Sequence, residues 1–289
     1  MKYVRDMIII TGPASRDLGE RIAGELGVEA HAVDYRIFPD GESYIRLTTP
    51  VEGDIAVIVQ TTTSIQDTRL MQLYLMVGTA NDLGAEKVIC VVPYLAYSRQ
   101  DKRFLEGEAL SLDIVIHLLE TLGADELIVF DAHNVDSIRR VQKKHKIRIK
   151  ELSATPLLAE YLKERGYNGA YSLSPDEGSI HRAKMGGDVL GGGFDFFRKR
   201  RNLRTGDIEM EVRDLEIQGR NAVVFDDIIS SGGTMALAIS GLKRQGARRI
   251  AAACTHGLFM EGAESRIRKA GADLIVSTDT VQTPLSRVS

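Results

Sequence analysis

The sequence has only two cysteines, Cys90 and Cys254, and neither stands in a metal-ligand spacing. Each lies in an apolar, strand-like run, so a disulfide framework and a thiolate metal centre are excluded. Buried reduced thiols, suited to a cytoplasm, are expected instead. Excess charge of one sign is also lacking: 37 Lys and Arg against 40 Asp and Glu leave a formal net charge of −3. That balance gives no electrostatic case for nucleic acid or an anionic membrane as a partner. No apolar run is long enough to cross a bilayer, and residues 1–6 lead into a strand-like run without the apolar core of a secretion signal. A cytoplasmic protein is expected. Neither Gly-x-x-x-x-Gly-Lys-Ser/Thr nor Gly-x-Gly-x-x-Gly occurs, which removes a P-loop kinase and supports no dinucleotide enzyme. Low-complexity tracts are absent.

What is present is the composition of a globular protein with ample core. Hydrophobic residues make up 44% and charged residues 27% of 289, a length that fits two domains of ordinary size. Strand-like and helical patterns alternate from end to end. In the first half, strands are expected over 7–11, 30–35, 55–60, 88–93 and 127–131, with helices over 17–26, 66–83 and 112–122. The last two helices end at Gly84 and Gly123, as left-handed caps require. In the second half, strands are expected over 147–152, 170–174, 222–226, 250–255 and 274–278, with helices over 156–165, 234–245 and 262–270. Such alternation predicts an α/β fold of two doubly wound parallel-sheet domains, 1–146 and 147–289, joined near the basic stretch 145–150. The halves share a rhythm but not residues.

The most informative run is Val223-Val224-Phe225-Asp226-Asp227-Ile228-Ile229-Ser230-Ser231-Gly232-Gly233-Thr234. An apolar strand ends in two carboxylates, and a turn of hydroxyls and glycines then opens a helical pattern. Amides at a helix N-terminus point at an anion, and the helix dipole favours negative charge there. Ser230, Ser231 and Thr234 add hydroxyl donors, while Gly232 and Gly233 let the backbone approach closely. Asp226 and Asp227 repel phosphate but accept hydrogen bonds from sugar hydroxyls. Phosphate cradle and diol-binding acids together describe a site for a ribose 5-phosphate group. The plainer alternative is a strand-to-helix turn with an acidic cap.

Ligands of doubly wound sheets bind beyond the carboxyl ends of strands. Further polar motifs stand at such ends: Tyr97-Ser98-Arg99-Gln100-Asp101-Lys102-Arg103, Asp131-Ala132-His133 and Ser174-Pro175-Asp176-Glu177-Gly178. Phe38-Pro39-Asp40-Gly41-Glu42 reads by itself as a plain turn. The segment 194–211 breaks the rhythm with Arg198-Lys199-Arg200-Arg201, then Asn202, Arg204 and Gly206. It reads as a sheet edge or hairpin with a mobile tip, its cations forming either a solvated turn or an anion clamp.

The Asp226–Thr234 run resembles the loop shared by type I phosphoribosyltransferases and phosphoribosyl pyrophosphate (PRPP) synthetases. Taken with the other motifs, most of the chain resembles the PRPP synthetase (ribose-phosphate diphosphokinase) family, in features closest to its archaeal members. The resemblance implies two domains of type I phosphoribosyltransferase-like fold and the reaction of ATP with ribose 5-phosphate to give PRPP and AMP. It assigns Phe38, Asp40, Glu42, Arg99, Gln100, Asp101 and His133 to ATP. Asp226, Asp227, Ser230, Ser231, Gly232, Gly233 and Thr234 fall to ribose 5-phosphate, and Lys199 and Arg201, with His133, to catalysis. His133 and Asp176 are assigned to Mg2+. The resemblance also implies a homo-oligomer, at least a dimer, whose Phe38–Glu42 turn reaches into a neighbour's active site.

Some positions depart from bacterial and mammalian members. After His133 the chain reads Asn134-Val135-Asp136-Ser137, without the usual glutamine, and Ser230 stands where an acid is common. The chain ends soon after Pro284, before the apolar closing strand that is expected, which suggests a truncated end. Two other functions stay open: a phosphoribosyltransferase that consumes PRPP, and a catalytically silent synthetase partner. The first leaves Arg99, Gln100 and His133 without work. The second predicts damage to Lys199, Arg201, Asp226 or Asp227, and all four are present.

Overall fold

The computed structural model describes residues 7–201, 208–211 and 217–289, with backbone alone over 198–201 and 208–211. It divides into two compact units between Leu152 and Ser153. In the first unit, β1 (Met7–Thr11), α1 (Arg16–Leu26) and β2 (Ala30–Ala32) are followed by a hairpin, β3 (Asp34–Ile37) and β4 (Ser43–Arg46). Then come β5 (Ile55–Val59), α2 (Gln66–Asp82), β6 (Lys87–Val92), α3 (Ser111–Thr121), β7 (Glu126–Phe130), α4 (Val135–Gln142) and β8 (Arg148–Leu152). The sheet order is β2-β1-β5-β6-β7-β8, every neighbouring pair parallel. Successive residues of a strand face opposite sides, and here both sides are covered. Ile10 and Ile58 pack with Leu73, Met76 and Ile116, whereas Ile9, Val57 and Val59 pack with Ala23 of α1. Continuous apolar strands are the consequence.

The second unit holds α5 (Thr155–Leu162), β9 (Tyr171–Ser174), α6 (Ile180–Leu190), β10 (Phe194–Phe196), and a hairpin of β11 (Arg198–Arg201) with β12 (Ile208–Glu211). After these come β13 (Asn221–Ile229), α7 (Gly233–Arg244), β14 (Arg249–Gly257), α8 (Ala263–Lys269), β15 (Leu274–Thr278) and β16 (Ser286–Val288). Its order, β10-β9-β13-β14-β15-β16, repeats the first sheet's winding, again all parallel. Ala222 and Val224 face the α7 side with Ile239 and Leu242. Val223 and Phe225 face the α5 side with Leu158 and Tyr167. The expected α/β fold with two doubly wound parallel sheets is present.

Four local expectations are corrected. The strand over 30–35 breaks at Val33: β2 stays in the sheet, and the rest turns out into the β3–β4 hairpin. The strand over 147–152 does not open the second half. It pairs with β7, Glu126 opposite Arg148, so the first unit runs through Leu152 and beyond 1–146. Glu126 secures that register, accepting from Lys87, Arg148 and Lys150 at 3.0–3.2 Å. The helices α4 and α6 lie where polar motif residues obscure the apolar period. A closing strand is present after Pro284, but short and polar: Ser286–Val288 pairs with β15. Among the described residues no helix is long and apolar enough to cross a membrane.

One close approach positions the second unit's polar centre. Gly186 of α6 faces β13 so tightly that a Cβ there would stand 2.4 Å from the Phe225 ring and 2.8 Å from Ser172 Oγ. No side chain fits, and α6 consequently lies against the strand that carries Asp226. Gly186→Ala is expected to destabilise the second unit by about 1–3 kcal/mol, the usual range for overpacking. Urea denaturation checks this; an unchanged midpoint would show that α6 can retreat without loss.

Candidate active site

The second sheet reverses direction of winding between β9 and β13. From β9 the chain passes through α6 to β10 on one flank; from β13 it passes through α7 to β14 on the other. The carboxyl ends of these two strands therefore bound a crevice. Pairing of β13 with β9 stops at Val224, while pairing with β14 continues to Ile229. Asp226 and Asp227 stand in that extension, inside a strand that runs three residues past the end expected at Asp226.

Asp227 is buried, at 5% exposure, and its backbone N–H donates to Asp226 Oδ1 at 2.9 Å. Burial, first, and then the charge of Asp227 and a side-chain hydrogen bond with it push the Asp226 carboxyl well above its ordinary value. Asp176 adds to the rise, and the guanidinium of Arg182 opposes it. Arg182, on α6, is 1% exposed. Three carboxylates and one buried cation thus converge at the switch point. Acids stacked this closely suit ligands that donate hydrogen bonds or carry positive charge.

The phosphate end lies one turn further on. Gly232 adopts φ 74°, and a Cβ there would lie 3.1 Å from the Ala263 carbonyl and the Ile267 side chain. This left-handed residue starts α7 without any side-chain cap. The first N–H groups of a helix have no acceptor within it, so the start of α7 is shaped for an anion. The loop is braced from α8 and the turn before it. Met260 N–H donates to the Ser230 carbonyl at 3.0 Å, Ser230 O–H to Met260 Sδ at 3.1 Å, and Arg266 to the Ser231 carbonyl. Ser231 and Thr234 remain exposed, with Gly233 half-buried between them.

Asp176 follows β9. Its Oδ1 accepts from Ser179 N–H and Ser179 Oγ, both at 3.2 Å, capping a short turn that leads into α6. The expected hairpin over 194–211 forms as β10 at the sheet edge and the separate β11–β12 pair, with β12 beside α7. Lys199 and Arg201 stand in β11; their side chains, and Asn202, Arg204 and Gly206 altogether, lie outside the described residues.

In the first unit the switch point between β1 and β5 is closed by its own bonds: Ala14 N–H reaches Gln60 Oε1 at 3.0 Å, and Thr61 N–H reaches Ser15 Oγ at 2.7 Å. The polar motifs stand instead at the ends of β6 and β7. Thr62 steers the chain leaving β6, accepting from Ala96 N–H at 2.7 Å and donating to the Tyr94 carbonyl at 2.8 Å. Tyr97 then turns with φ 66° and donates to Asp67. Arg99 emerges exposed, with Gln100 half-buried beside it. Asp101 is different. It is buried, its carboxylate accepts from Ser137 Oγ, and its carbonyl accepts from Arg140 at 2.6 Å. At the end of β7, Asp131 takes φ 38°, a strained backbone for a non-glycine residue, and the chain emerges at exposed His133. Asn134 then caps α4 by accepting from Ser137 N–H at 3.1 Å. The departure at 134–137 thus supplies a helix cap and the residue that holds Asp101.

The turn 38–42 is the tip of the β3–β4 hairpin. Phe38 N–H donates to the Glu42 carbonyl at 2.8 Å, and Glu42 N–H to Asp40 Oδ1 at 3.2 Å. Arg36 stacks between Phe38 and Tyr44, 4.8 and 4.7 Å from their ring centres.

Arg182, Ser137 and Arg140 escaped sequence reasoning. Arg182 and Ser137 lie on helices whose apolar period is interrupted by the residues that serve the site. A signal existed for Arg182: a cation six residues beyond Asp176, four before Gly186, on the face a helix would turn to β13.

Paired acids in an open strand end, followed by an uncapped helix start in a doubly wound sheet, define a phosphoribosyl-handling α/β enzyme. The family profile for the N-terminal domain of ribose phosphate pyrophosphokinase matches residues 7–123, and the phosphoribosyl transferase domain profile matches 151–283. The ribose-phosphate pyrophosphokinase of Methanothermobacter thermautotrophicus is 38% identical over 282 residues, covering 98% of this chain and 96% of that one. That of Sulfolobus acidocaldarius is 35% identical over 284 residues with the same coverage. Among solved structures, phosphoribosylpyrophosphate synthetase from Mycobacterium smegmatis matches with TM-score 0.85 and 28% identity, covering 98% of this chain and 94% of that chain. The chain belongs to the ribose-phosphate pyrophosphokinase family.

The raised Asp226 carboxyl has a consequence for stability. An acid whose folded pKa exceeds its unfolded one penalises the fold as pH rises from the ordinary value, 3.8, through the folded value. Asp226→Asn removes the penalty. The variant is expected to melt above the parent protein at neutral pH, with the gain vanishing as pH falls below about 4. Thermal melts across that range decide it; a pH-independent difference would detach Asp226 from the effect.

Proposed function

We propose that this chain transfers the diphosphoryl group of ATP to the C1 hydroxyl of ribose 5-phosphate, giving 5-phosphoribosyl 1-diphosphate and AMP. The observation that carries the reading is the paired acids at the open end of β13 leading into the uncapped start of α7. The family supports the same chemistry. A chain that only consumed PRPP would have no use for the Arg99-Gln100 turn or for His133.

The C1 oxygen attacks the β-phosphorus in line, the bond from that phosphorus to the α–β bridging oxygen breaks, and AMP departs. Little covalent work falls to the protein, so positioning and charge stabilisation dominate. Asp227 and Asp226 accept from the ribose diol, while Ser231, Thr234 and the first amides of α7 hold the 5-phosphate. Exposed Arg99 and His133 meet the nucleotide, and Asp101, held by Ser137, acts by fixing the turn that presents them. Lys199 and Arg201 neutralise charge on the phosphoryl group in flight. Mg2+ prefers oxygen ligands, so the Asp176 carboxylate of the second unit would suit it, while the exposed His133 imidazole of the first unit would suit the ATP phosphates. The acid-rich switch point, whose carboxyls repel one another, is chemistry suited to a hard cation. Such an ion supplies charge neutralisation to the phosphates.

The smallest competent unit we infer is a dimer. Support comes from the β3–β4 hairpin: β3 is exposed throughout, and Tyr35, Ile37 and Phe38 are apolar side chains exposed by 47%, 47% and 36%. Those side chains suit a protein surface better than water, with Asp40 and Glu42 at the tip toward a neighbour's nucleotide.

Incubation with Mg-ATP and ribose 5-phosphate is expected to yield AMP and PRPP in equal amounts. Lys199→Ala should lower kcat by about 10³-fold, the lower end for a phosphate-directed cation, while ribose 5-phosphate binding persists. An unchanged kcat would remove Lys199 from the reaction.

Glu42→Ala and His133→Ala should each be nearly inactive. Co-refolded in equal amounts they form mixed dimers in half the population, each with one intact site, so about a quarter of sites should recover. No recovery, with mixed dimers seen by native mass spectrometry, would mean that Glu42 acts within its own subunit.

A further inference from the structure

The last turn of α3 and the segment before β8 carry a cluster that the reaction does not use. Its place is the amino end of β7 and β8, whereas the nucleotide motifs leave the carboxyl ends of β6 and β7. Asp113, His117 and Glu120 are spaced four and three residues apart, which sets them along one face of α3. His145 arrives from the loop after α4.

His145 is 8% exposed. Its Nδ1 lies 2.7 Å from Glu120 Oε2, so that carboxylate orients the ring and fixes the proton at Nδ1. Nε2 is buried and has no hydrogen-bond partner. Asp113 Oδ1 lies 3.6 Å from it, too far for a hydrogen bond. The His117 ring centre is 5.8 Å from that of His145. A buried imidazole lone pair without a donor is costly. A carboxylate–imidazole pair with the outer nitrogen bare is the arrangement that metal-ligating histidines adopt.

We propose that His145 Nε2, Asp113 and His117, with Glu120 holding the His145 ring by its other nitrogen, bind a borderline divalent transition-metal ion such as Zn2+ or Co2+, apart from the reacting groups. Asp113 Oδ1 lies 3.6 Å from His145 Nε2, and donor atoms of His117, Glu120 and His145 lie within 4.8 Å of one another. Zinc–nitrogen and zinc–oxygen bonds of about 2.0–2.2 Å need donors roughly 3.5 Å apart, a closure that exposed His117 makes by rotating its side chain. Two imidazoles disfavour Mg2+ and Ca2+ and suit Zn2+ or Co2+. Asp113 supplies charge, and Glu120 keeps its own as the orienting partner: its carboxyl is held below the usual range by the His145 hydrogen bond and then by the Lys146 N–H, which donates to Oε1 at 2.6 Å. Lys144 pairs with Asp113 at 3.2 Å and is half-exposed, so an incoming cation displaces it into water. The bound ion ties α3 to the chain entering β8.

The test uses the full-length protein, stripped with a chelator and titrated with Co2+ in excess Mg2+, which occupies hard-ion sites. A visible d–d absorption band should saturate at one equivalent per chain, and Zn2+ should raise the thermal midpoint. His117→Ala, at an exposed position, should lose the band or weaken Co2+ binding about tenfold or more while Mg-ATP turnover persists. His133→Ala should keep the band. Absence of a band, an unaltered band in His117→Ala, or its loss in His133→Ala would each overturn the proposal.

Discussion

Two carboxylates side by side in one strand, Asp227 buried and Asp226 half-buried, are the constraint around which the second unit is arranged. Asp226 and Asp227 repel each other, and burial raises the cost of their charge. Nothing in a hydrophobic core requires them. They persist because the surroundings are built to hold them: Arg182 brings a cation from α6, and Gly186 allows that helix to press against β13. The winding of the sheet leaves the β9 flank unpaired beyond Val224, so the acids face a crevice and not another strand. A sugar diol offers such acids two hydrogen-bond donors.

The phosphate end depends on the same strand. β13 delivers its last residue, Ile229, to a loop whose carbonyls are pinned by Met260 and Arg266, and Gly232 packs where any larger residue would meet Ala263 and Ile267. The helix start is therefore set at a fixed distance from the acids, as sugar and phosphate are in the ligand. The first unit follows another plan. Its switch point is sealed by Gln60 and Ser15, and its polar motif residues ride on turns after β6 and β7, with Asp101 held by Ser137 and Arg140.

Much of this was legible in the sequence because burial on both faces of a parallel sheet writes itself as short apolar runs, and those runs located most strands correctly. The run Asp226–Thr234 stood out as a candidate site because carboxylates, hydroxyls and glycines in that order have few other uses. Three things were not. The end of β13 was misplaced because the acids interrupt its apolar run, although the backbone pairing with β14 continues beneath them. α4 and α6 were missed because Asn134, Asp136, Ser137, His181 and Arg182 break the helical period; of these Asn134 caps α4, Ser137 holds Asp101 and Arg182 faces Asp226. The membership of β8 was misjudged because its alternation of exposed and half-buried residues reads alike on either sheet; the Glu126 ion pairs that decide it come from distant sequence. In each case a functional or long-range demand overrode a local pattern.

The central claim is that Asp227 and its neighbour recognise the ribose diol and not only the phosphate. Calorimetry of ribose 5-phosphate against 2-deoxyribose 5-phosphate, on the parent protein and on Asp227→Ala, tests it most directly. The account predicts that the parent prefers the full diol by about tenfold or more, as a hydrogen bond to a charged acceptor warrants, and that Asp227→Ala binds both sugars nearly alike. Equal binding of the two sugars by the parent protein, or a preference that survives in Asp227→Ala, would contradict it.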